Sequence, residues 1–323
     1  MRQNPVYSRE MKVSARSPRF PLILSLFNGI LCLAALINMY SVVLRVRTNA
    51  TIQYSSFMDI YEFVTAIEFI LLMFIVPAVT AASISGERER QTLDLMLTTQ
   101  MTAAQIVTGK LMGALSSLFV LILSSFPAVA MVFVYGGITW WDALSLIFCY
   151  VAVAFMAGSL GIFFSSVFRR STVSTAVTYG TLIAFVAGTY FINRFALSMS
   201  AANLDQTIAV YAMEAPAIRA SSGGAFYLFL MNPAFTFMAV IGNQAGRSTS
   251  FASVCSYFGM ENTGFVMEHW VLLSVLLQLA AGALLLWEAV QFLEPVKKKG
   301  KRKNKRMTVS YTHLRAHETK ANL

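Results

Sequence analysis

The chain has 323 residues, of which 57% are hydrophobic and only 12% are charged, and its formal net charge is +10. A soluble domain carries about 25% charged residues, so this composition excludes a water-soluble globular domain. The three cysteines, Cys32, Cys149 and Cys255, are too few and too scattered for a disulfide framework or a zinc site. We therefore expect a membrane protein without a structural metal.

Six apolar runs are long enough to cross a bilayer, because a spanning helix needs about 20 consecutive apolar residues. They predict spans over residues 20–44, 57–82, 105–135, 141–168, 172–193 and 269–290. Continuous runs of this kind differ from the short alternating strands of a membrane barrel. The fold class is accordingly predicted as an all-α integral membrane protein with six transmembrane helices in one domain, residues 20–293.

The distribution of Lys and Arg predicts the orientation of these spans, since cytoplasmic loops are rich in both. If residues 1–19 are cytoplasmic, all but five of the 25 basic residues lie on the cytoplasmic side. The five on the outer side are Arg45, Arg47, Arg194, Arg219 and Arg247. Both termini are then cytoplasmic, and aromatic residues are expected at the outer interface, namely Tyr40, Tyr54, Tyr135, Trp140, Trp141 and Trp270.

The first charged stretch between spans is the most informative part of the sequence. The coupling segment, residues 86–103, begins with the cluster Glu87-Arg88-Glu89-Arg90, which is followed by apolar residues at helical spacing: Leu93, Met96, Leu97 and Met101. This spacing predicts one apolar face of a short amphipathic helix, with Arg90 pairing to Glu87 and to Asp94 on the opposite face. Thr102 and Gln105 have the spacing of a capping box, which predicts that the next helix starts there.

Span two carries three acidic residues, Asp59, Glu62 and Glu68, of which Glu68 lies deepest. A carboxylate at that depth costs roughly 2.5 to 3.5 kcal/mol, so it should face a cavity or another helix. For Asp59 and Glu62 we favour interhelical hydrogen bonds. For Glu68 two interpretations remain equally open: a substrate-pathway, interface or proton-sensitive site, and an interhelical hydrogen bond to a Ser or Thr residue.

The segment between spans five and six, residues 193–268, is mostly polar, but residues 225–241 are apolar and contain Pro233. We expect two re-entrant half-helices at the outer leaflet that are broken at Asn232-Pro233, and we count both residues as candidates for a pathway or interface. An ordinary buried helix in an external domain is the alternative. In span three, Gly109 and Gly113 present small residues on one face, which predicts close helix packing.

The C-terminal end has two parts. Residues 294–307 are strongly basic and predict a cytoplasmic anchor on anionic lipid rather than a nucleic-acid site, because no aromatic residues interleave with the charges. Residues 308–323 differ in composition from the rest and are expected to be a non-native tail, so we ascribe no metal site to His313 and His317.

The string from Pro77 to Lys110, with its GERE cluster, its TLDLMLTT run and its closing GK, resembles the signature of ABC-2-type transporter permeases. The resemblance extends over residues 20–295. It implies the ABC-2 permease fold with external re-entrant half-helices and a cytoplasmic coupling helix that binds a separate ATPase. The implied ATPase-coupling residues are Glu87, Arg88, Glu89, Arg90, Thr92, Leu93, Met96 and Leu97. Gln91 and Gln100 stand where the family usually has Gly and often has Pro, so the turns around this helix are expected to differ.

The resemblance implies the permease subunit of an ABC exporter in the bacterial plasma (inner) membrane, paired with a second copy or a paralogue. No catalytic residue and no cofactor is expected in this chain, because Gly109-Lys110 is followed by Leu111 and therefore forms no P-loop. ATP and magnesium are then bound by the partner ATPase. The alternatives are a membrane enzyme, for which the spans hold no catalytic motif, and a non-transporting sensor or scaffold.

Overall fold

The computed structural model describes residues 4–49, 55–98, 101–134, 138–211, 219–244, 248–260 and 264–294. The regular elements in these ranges are all helices. They are α1 (Pro5–Arg16), α2 (Arg19–Asn49), α3 (Ser55–Thr80), α4 (Ser85–Glu89), α5 (Thr92–Thr98), α6 (Ala103–Val134), α7 (Trp140–Val167), α8 (Ser171–Tyr211), a 3-10 helix (Gly223–Leu230), α9 (Pro233–Gln244), α10 (Ser248–Tyr257), α11 (Phe265–Glu268) and α12 (Trp270–Leu293).

One compact unit comprises Met1–Leu293, and a second comprises Glu294–Leu323, of which only Glu294 is described. The predictions for the basic anchor and for residues 308–323 therefore fall outside the described residues.

Among the described residues, six helices are long and apolar enough to cross a membrane, which confirms the predicted fold class. They are α2, α3, α6, α7, α8 and α12. The structure places α7 at the centre, where it packs against α3, α6, α8, α9 and α12. Small residues on α7 allow this close packing, since a Cβ on Gly161 would overlap the Thr80 hydroxyl of α3. On the other side, Gly282 of α12 accommodates the ring of Phe155.

The N-terminal segment forms a helix, α1, that sequence analysis predicted only as a basic stretch. Asn4 caps it by accepting a hydrogen bond from the Val6 N–H at 3.0 Å, and Pro5 occupies the first turn. The helix packs on α6 at the predicted Gly109 and Gly113, where an added Cβ would lie 2.8 Å from Val6 and 2.9 Å from Glu10. The two glycines therefore pack against this chain's own α1.

The apolar segment around Pro233 is broken as predicted. The 3-10 helix and α9 meet at an angle of 86°. Asn232 caps α9 by accepting from the Ala234 N–H at 2.9 Å, and its amide donates to Thr189 Oγ1 of α8 at 2.6 Å. Asn232 thus fixes the break to α8. The position of these half-helices relative to a bilayer remains a prediction.

One sequence prediction about this half of the molecule is corrected. Helix α8 does not end near residue 193 but continues to Tyr211, so the first part of the supposed external segment is helical. Trp270, at the start of α12, is 2% exposed and packs among the rings of Phe226, Phe235 and Phe251; its position relative to the membrane interface stays a prediction. Of the other interface aromatics, Tyr40, Trp140 and Trp141 are exposed, and Tyr54 and Tyr135 lie outside the described residues.

Candidate functional site

The connection between α3 and α6, residues 81–102, contains two short helices in its described part that meet at a sharp turn. Helix α4 ends at Glu89 and α5 begins at Thr92. Between them Gln91 has φ = 58°, the left-handed region in which glycine is favoured. Gln91, where the family usually has Gly, is therefore the one non-glycine residue with a positive φ among the described residues. Because the chain turns here, the charged cluster and the apolar residues do not share one continuous helix.

Glu87 of α4 forms an ion-pair cluster with residues of α1 and α6. Its Oε1 lies 3.0 Å from Lys110 Nζ, which lies 2.7 Å from Glu10 Oε1. Arg9 approaches Glu87 at 4.0 Å, and the Thr92 hydroxyl donates to the second Glu87 oxygen. The predicted pairing of Arg90 with Glu87 and Asp94 requires one continuous helix, so it is not formed. Glu87 binds the residues above instead, and the Arg90 side chain is exposed.

The Lys110 side chain is only 6% exposed, so its ammonium group has lost nearly all of its hydration. Burying an ion of this kind costs several kcal/mol unless nearby opposite charges offset it. Two carboxylates provide that compensation, and they come from different helices. The geometry thus joins α1, α4 and α6 through one ammonium group.

Helix α4 is also bonded to the end of α7. The backbone N–H groups of Ile84 and Ser85 both donate to Ser165 Oγ at 2.9 Å. The Arg88 guanidinium donates to the Ser166 carbonyl at 3.1 Å and to the Phe168 carbonyl at 3.4 Å, which are among the last carbonyls of α7. The two bonds of Arg88 use carbonyls that a helix end leaves without an intrahelical donor.

Glu89 connects α4 to the start of α8. Its carboxylate accepts from the Ser171 N–H at 2.9 Å and from the Ser171 hydroxyl at 2.8 Å. An acidic group at a helix N-terminus interacts favourably with the helix dipole. Through Glu87, Arg88 and Glu89, α4 is therefore bonded to α1, α6, α7 and α8.

The two faces of α5 differ from the prediction. Leu93, at 3% exposure, and Met96 are buried, and with the half-buried Leu97 they pack into a cluster that includes Val6 and Leu293. Thus this chain's own core occupies the apolar face that we expected to bind an ATPase. On the opposite face Leu95 is 69% exposed. Its position two residues after Leu93 is the signal that could have identified it, because residues at i and i+2 point away from each other on a helix.

The start of α6 follows the predicted capping box. The Thr102 N–H donates to Gln105 Oε1 at 3.0 Å, and the Gln105 N–H donates to Thr102 Oγ1 at 3.2 Å. The Asn4 amide donates to the Gln105 carbonyl at 2.8 Å, so α1 contacts α6 at the same turn. The capping residues and the N-terminal helix together fix where Lys110 enters the ion-pair cluster.

The other candidate residues lie apart from this connection. Glu68 is 1% exposed in the core between α3 and α6, where it accepts a hydrogen bond from Ser125. This is the interhelical bond of the packing interpretation, and the adjoining cavity measures only about 20 Å³. Glu62 is half-buried near the other end of α3, and Asn232 and Pro233 lie in the break described above.

Within the described ranges, no group of three or more His, Cys, Asp or Glu side chains has the arrangement of a metal site. Comparison with known proteins gives a match to the model for ABC-2 family transporter proteins over residues 5–293. The match includes every described helix that could span a membrane as well as the connection. A search of curated proteins finds no match.

Proposed function

Since the chain belongs to the ABC-2 family of transporter proteins, we propose that it is the permease subunit of an ATP-binding-cassette exporter and works with separate ATPase subunits that bind ATP and magnesium. The sequence has no P-loop. The lysine of its Gly109-Lys110 pair binds two carboxylates rather than a phosphate. Both observations support assigning hydrolysis to another polypeptide.

The observation that carries this proposal is the bonding of α4 to four helices while one face of α5 is open to a partner. Glu89, Arg90, Asp94 and Leu95 are exposed on this surface, which we call the docking surface. An apolar side chain ringed by charges of both signs suits a protein partner, because the apolar contact supplies affinity and the charges fix orientation. Movement of an ATPase bound here would be transmitted through α4 to α1, α6, α7 and α8.

Pairing with a second copy or a paralogue is supported by a groove between α3 and α8. Its volume is about 340 Å³, and its lining is apolar apart from Tyr179. The lining includes Phe69, Ile70, Met73, Phe74, Leu182 and Ile183. A substrate passage formed between two such faces would open alternately to the two sides of the membrane as the subunits rearrange. The rearrangement would be driven by ATP, which the transporter binds with different affinity in its two conformations.

The proposed location is a bacterial plasma membrane, with both termini in the cytoplasm. The ion pairs of Arg9 with Glu87 in α4 and of Glu10 with Lys110 in α6 support one part of this topology, because they bring α1 to the end of the molecule that carries the docking surface. The excess of Lys and Arg at that end then assigns it to the cytoplasm.

Copurification tests the proposal. The chain is coexpressed with each candidate ATPase, and Leu95→Glu is compared with Val13→Glu, which makes the same change at an exposed position of α1 outside the docking surface. We expect an ATPase to copurify with the wild type and with Val13→Glu but not with Leu95→Glu. Stable isolation with no ATPase partner would favour a scaffold or an enzyme. Leu93→Glu is unsuitable, because it places a charge in the core.

A further inference from the structure

A second cavity lies at the end of the molecule opposite to the docking surface. Its volume is about 910 Å³, and it is enclosed by α7, α9, α10, α11 and α12. Most of its lining is apolar, including Phe148, Phe251, Val271, Leu272, Val275 and Leu276. This cavity and the groove between α3 and α8 have no lining residue in common, so the cavity is separate from the proposed passage.

The cavity has the length of one bilayer leaflet. Along α12 its lining extends from Trp270 to Leu279 at successive helical turns, with Glu268 and His269 just before. At 1.5 Å per residue, the nine steps along α12 from residue 270 to 279 correspond to roughly 14 Å, about half of the 30 Å hydrocarbon core. Two of the five helices that line it, α7 and α12, are long and apolar enough to span a membrane. An acyl chain is the occupant that matches both the length and the chemistry.

Polar groups gather at one end of the cavity. Glu268, His269 and Asn243 line it there, and all three are exposed. Glu268 supplies the negative charge of this lining and forms none of the ion pairs found among the described residues. A cationic group is therefore the favoured partner at this end.

The lining also contains a donor without an acceptor. Trp270 lines the cavity and is 2% exposed, and its indole N–H has no hydrogen-bond partner within the described part of the chain. A buried donor left in this way costs about 1 to 3 kcal/mol. A phosphate or ester oxygen near the head of a lipid would accept this bond, and the Asn243 amide is a second donor.

We propose that this cavity binds a phospholipid with an amine head group, of the phosphatidylethanolamine type. One acyl chain lies against Leu272 and Leu276, the ammonium group binds Glu268, and phosphate or ester oxygens accept from Trp270 and Asn243. The bound lipid joins α10 and α11 to α12. A lipid without an ammonium group, such as phosphatidylglycerol, lacks the partner for Glu268 and binds less well.

Tryptophan quenching by brominated lipid tests this site. Trp140, Trp141 and Trp287 are replaced by Phe, so that emission comes from Trp270, which bulk lipid does not reach because it is buried. In nanodiscs, brominated phosphatidylethanolamine at low fraction is expected to reduce the emission more than the same fraction of brominated phosphatidylglycerol. Unchanged emission, as would result if a second copy covered the cavity, refutes the proposal.

Two variants with a matched control locate the contact. Glu268→Gln should remove the difference between the two lipids, and Ala252→Phe, which adds a ring to the cavity lining and narrows it, should restore the emission. Leu284→Phe, exposed on α12 outside the cavity, should change neither result. Quenching that persists in Ala252→Phe, or a lipid preference unaffected by Glu268→Gln, contradicts the assignment. If the variant with Trp270 as its only tryptophan does not fold, native mass spectrometry of retained phosphatidylethanolamine in wild type and Ala252→Phe gives the same decision.

Discussion

Replacing Lys110 by Met should destabilise the protein through the carboxylates it leaves behind. The wild-type ammonium group binds Glu10 at 2.7 Å and Glu87 at 3.0 Å. Removing one partner of a buried ion pair costs about 3 to 5 kcal/mol. Because both carboxylates retain some access to water, at 31% and 15% exposure, we expect a smaller loss, about 2 to 3 kcal/mol.

The assay is denaturant or thermal unfolding in detergent, with Lys12→Met as control, since Lys12 is exposed on α1. Combining Lys110→Met with Glu87→Gln should recover part of the loss, because one orphaned charge is removed. A double-mutant cycle between Glu10→Gln and Lys110→Met should give a coupling energy of about 1 to 2 kcal/mol. Additive effects, or a loss no larger than that of Lys12→Met, would show that the ammonium group does not join the helices.

Three further predictions concern other positions. Gln91→Gly removes a left-handed backbone strain of about 1 to 2 kcal/mol from the folded state but raises the conformational entropy of the unfolded chain. The unfolding midpoint should therefore stay equal or rise, and a fall would contradict the turn geometry. Gly161→Ala should lower the free energy of unfolding by about 1 to 3 kcal/mol, because the added Cβ overlaps Thr80. Gly180→Ala, with open space around it, should raise the free energy of unfolding by about 0.5 to 1 kcal/mol. Equal unfolding midpoints of the two variants would refute the packing account. Glu68→Gln retains an acceptor for the serine of α6, so reconstituted transport should be unchanged, and altered transport would place this residue in the pathway.

The spans could be predicted from sequence because hydropathy acts over long runs that need no knowledge of neighbours. The break at Pro233 was equally accessible, since proline cannot continue a helix and Asn232 is a strong capping residue. The end of α8 was not, because the residues after Asn193 are polar enough to leave the bilayer yet still form a helix. Hydropathy indicates whether a segment lies in lipid or in water, but it does not indicate where a helix ends.

The sequence predicted a short amphipathic helix between α3 and α6 but not how the faces of that helix pack. Periodicity identified Leu93 and Met96 as one apolar face, yet it does not distinguish a face that contacts a partner from one that packs on the same chain. The missing information was α1, whose Val6 covers that face. Its capping pair, Asn4-Pro5, was visible in the sequence. The Glu87 to Lys110 pair joins residues far apart in the chain and required the packing of α4 on α6.

Helix α8 carries a mechanical consequence of its length. Its 41 residues extend about 60 Å at 1.5 Å per residue, twice the 30 Å of a hydrocarbon core. Its first residue, Ser171, is bonded to Glu89, and its second half contacts the 3-10 helix segment and α10 through Leu197, Ser200 and Arg194. A tilt of about 5° at the Ser171 end then displaces the other end of α8 by roughly 5 Å. A spin label near that other end would therefore report movements of the connection that are too small to measure at Ser171 itself.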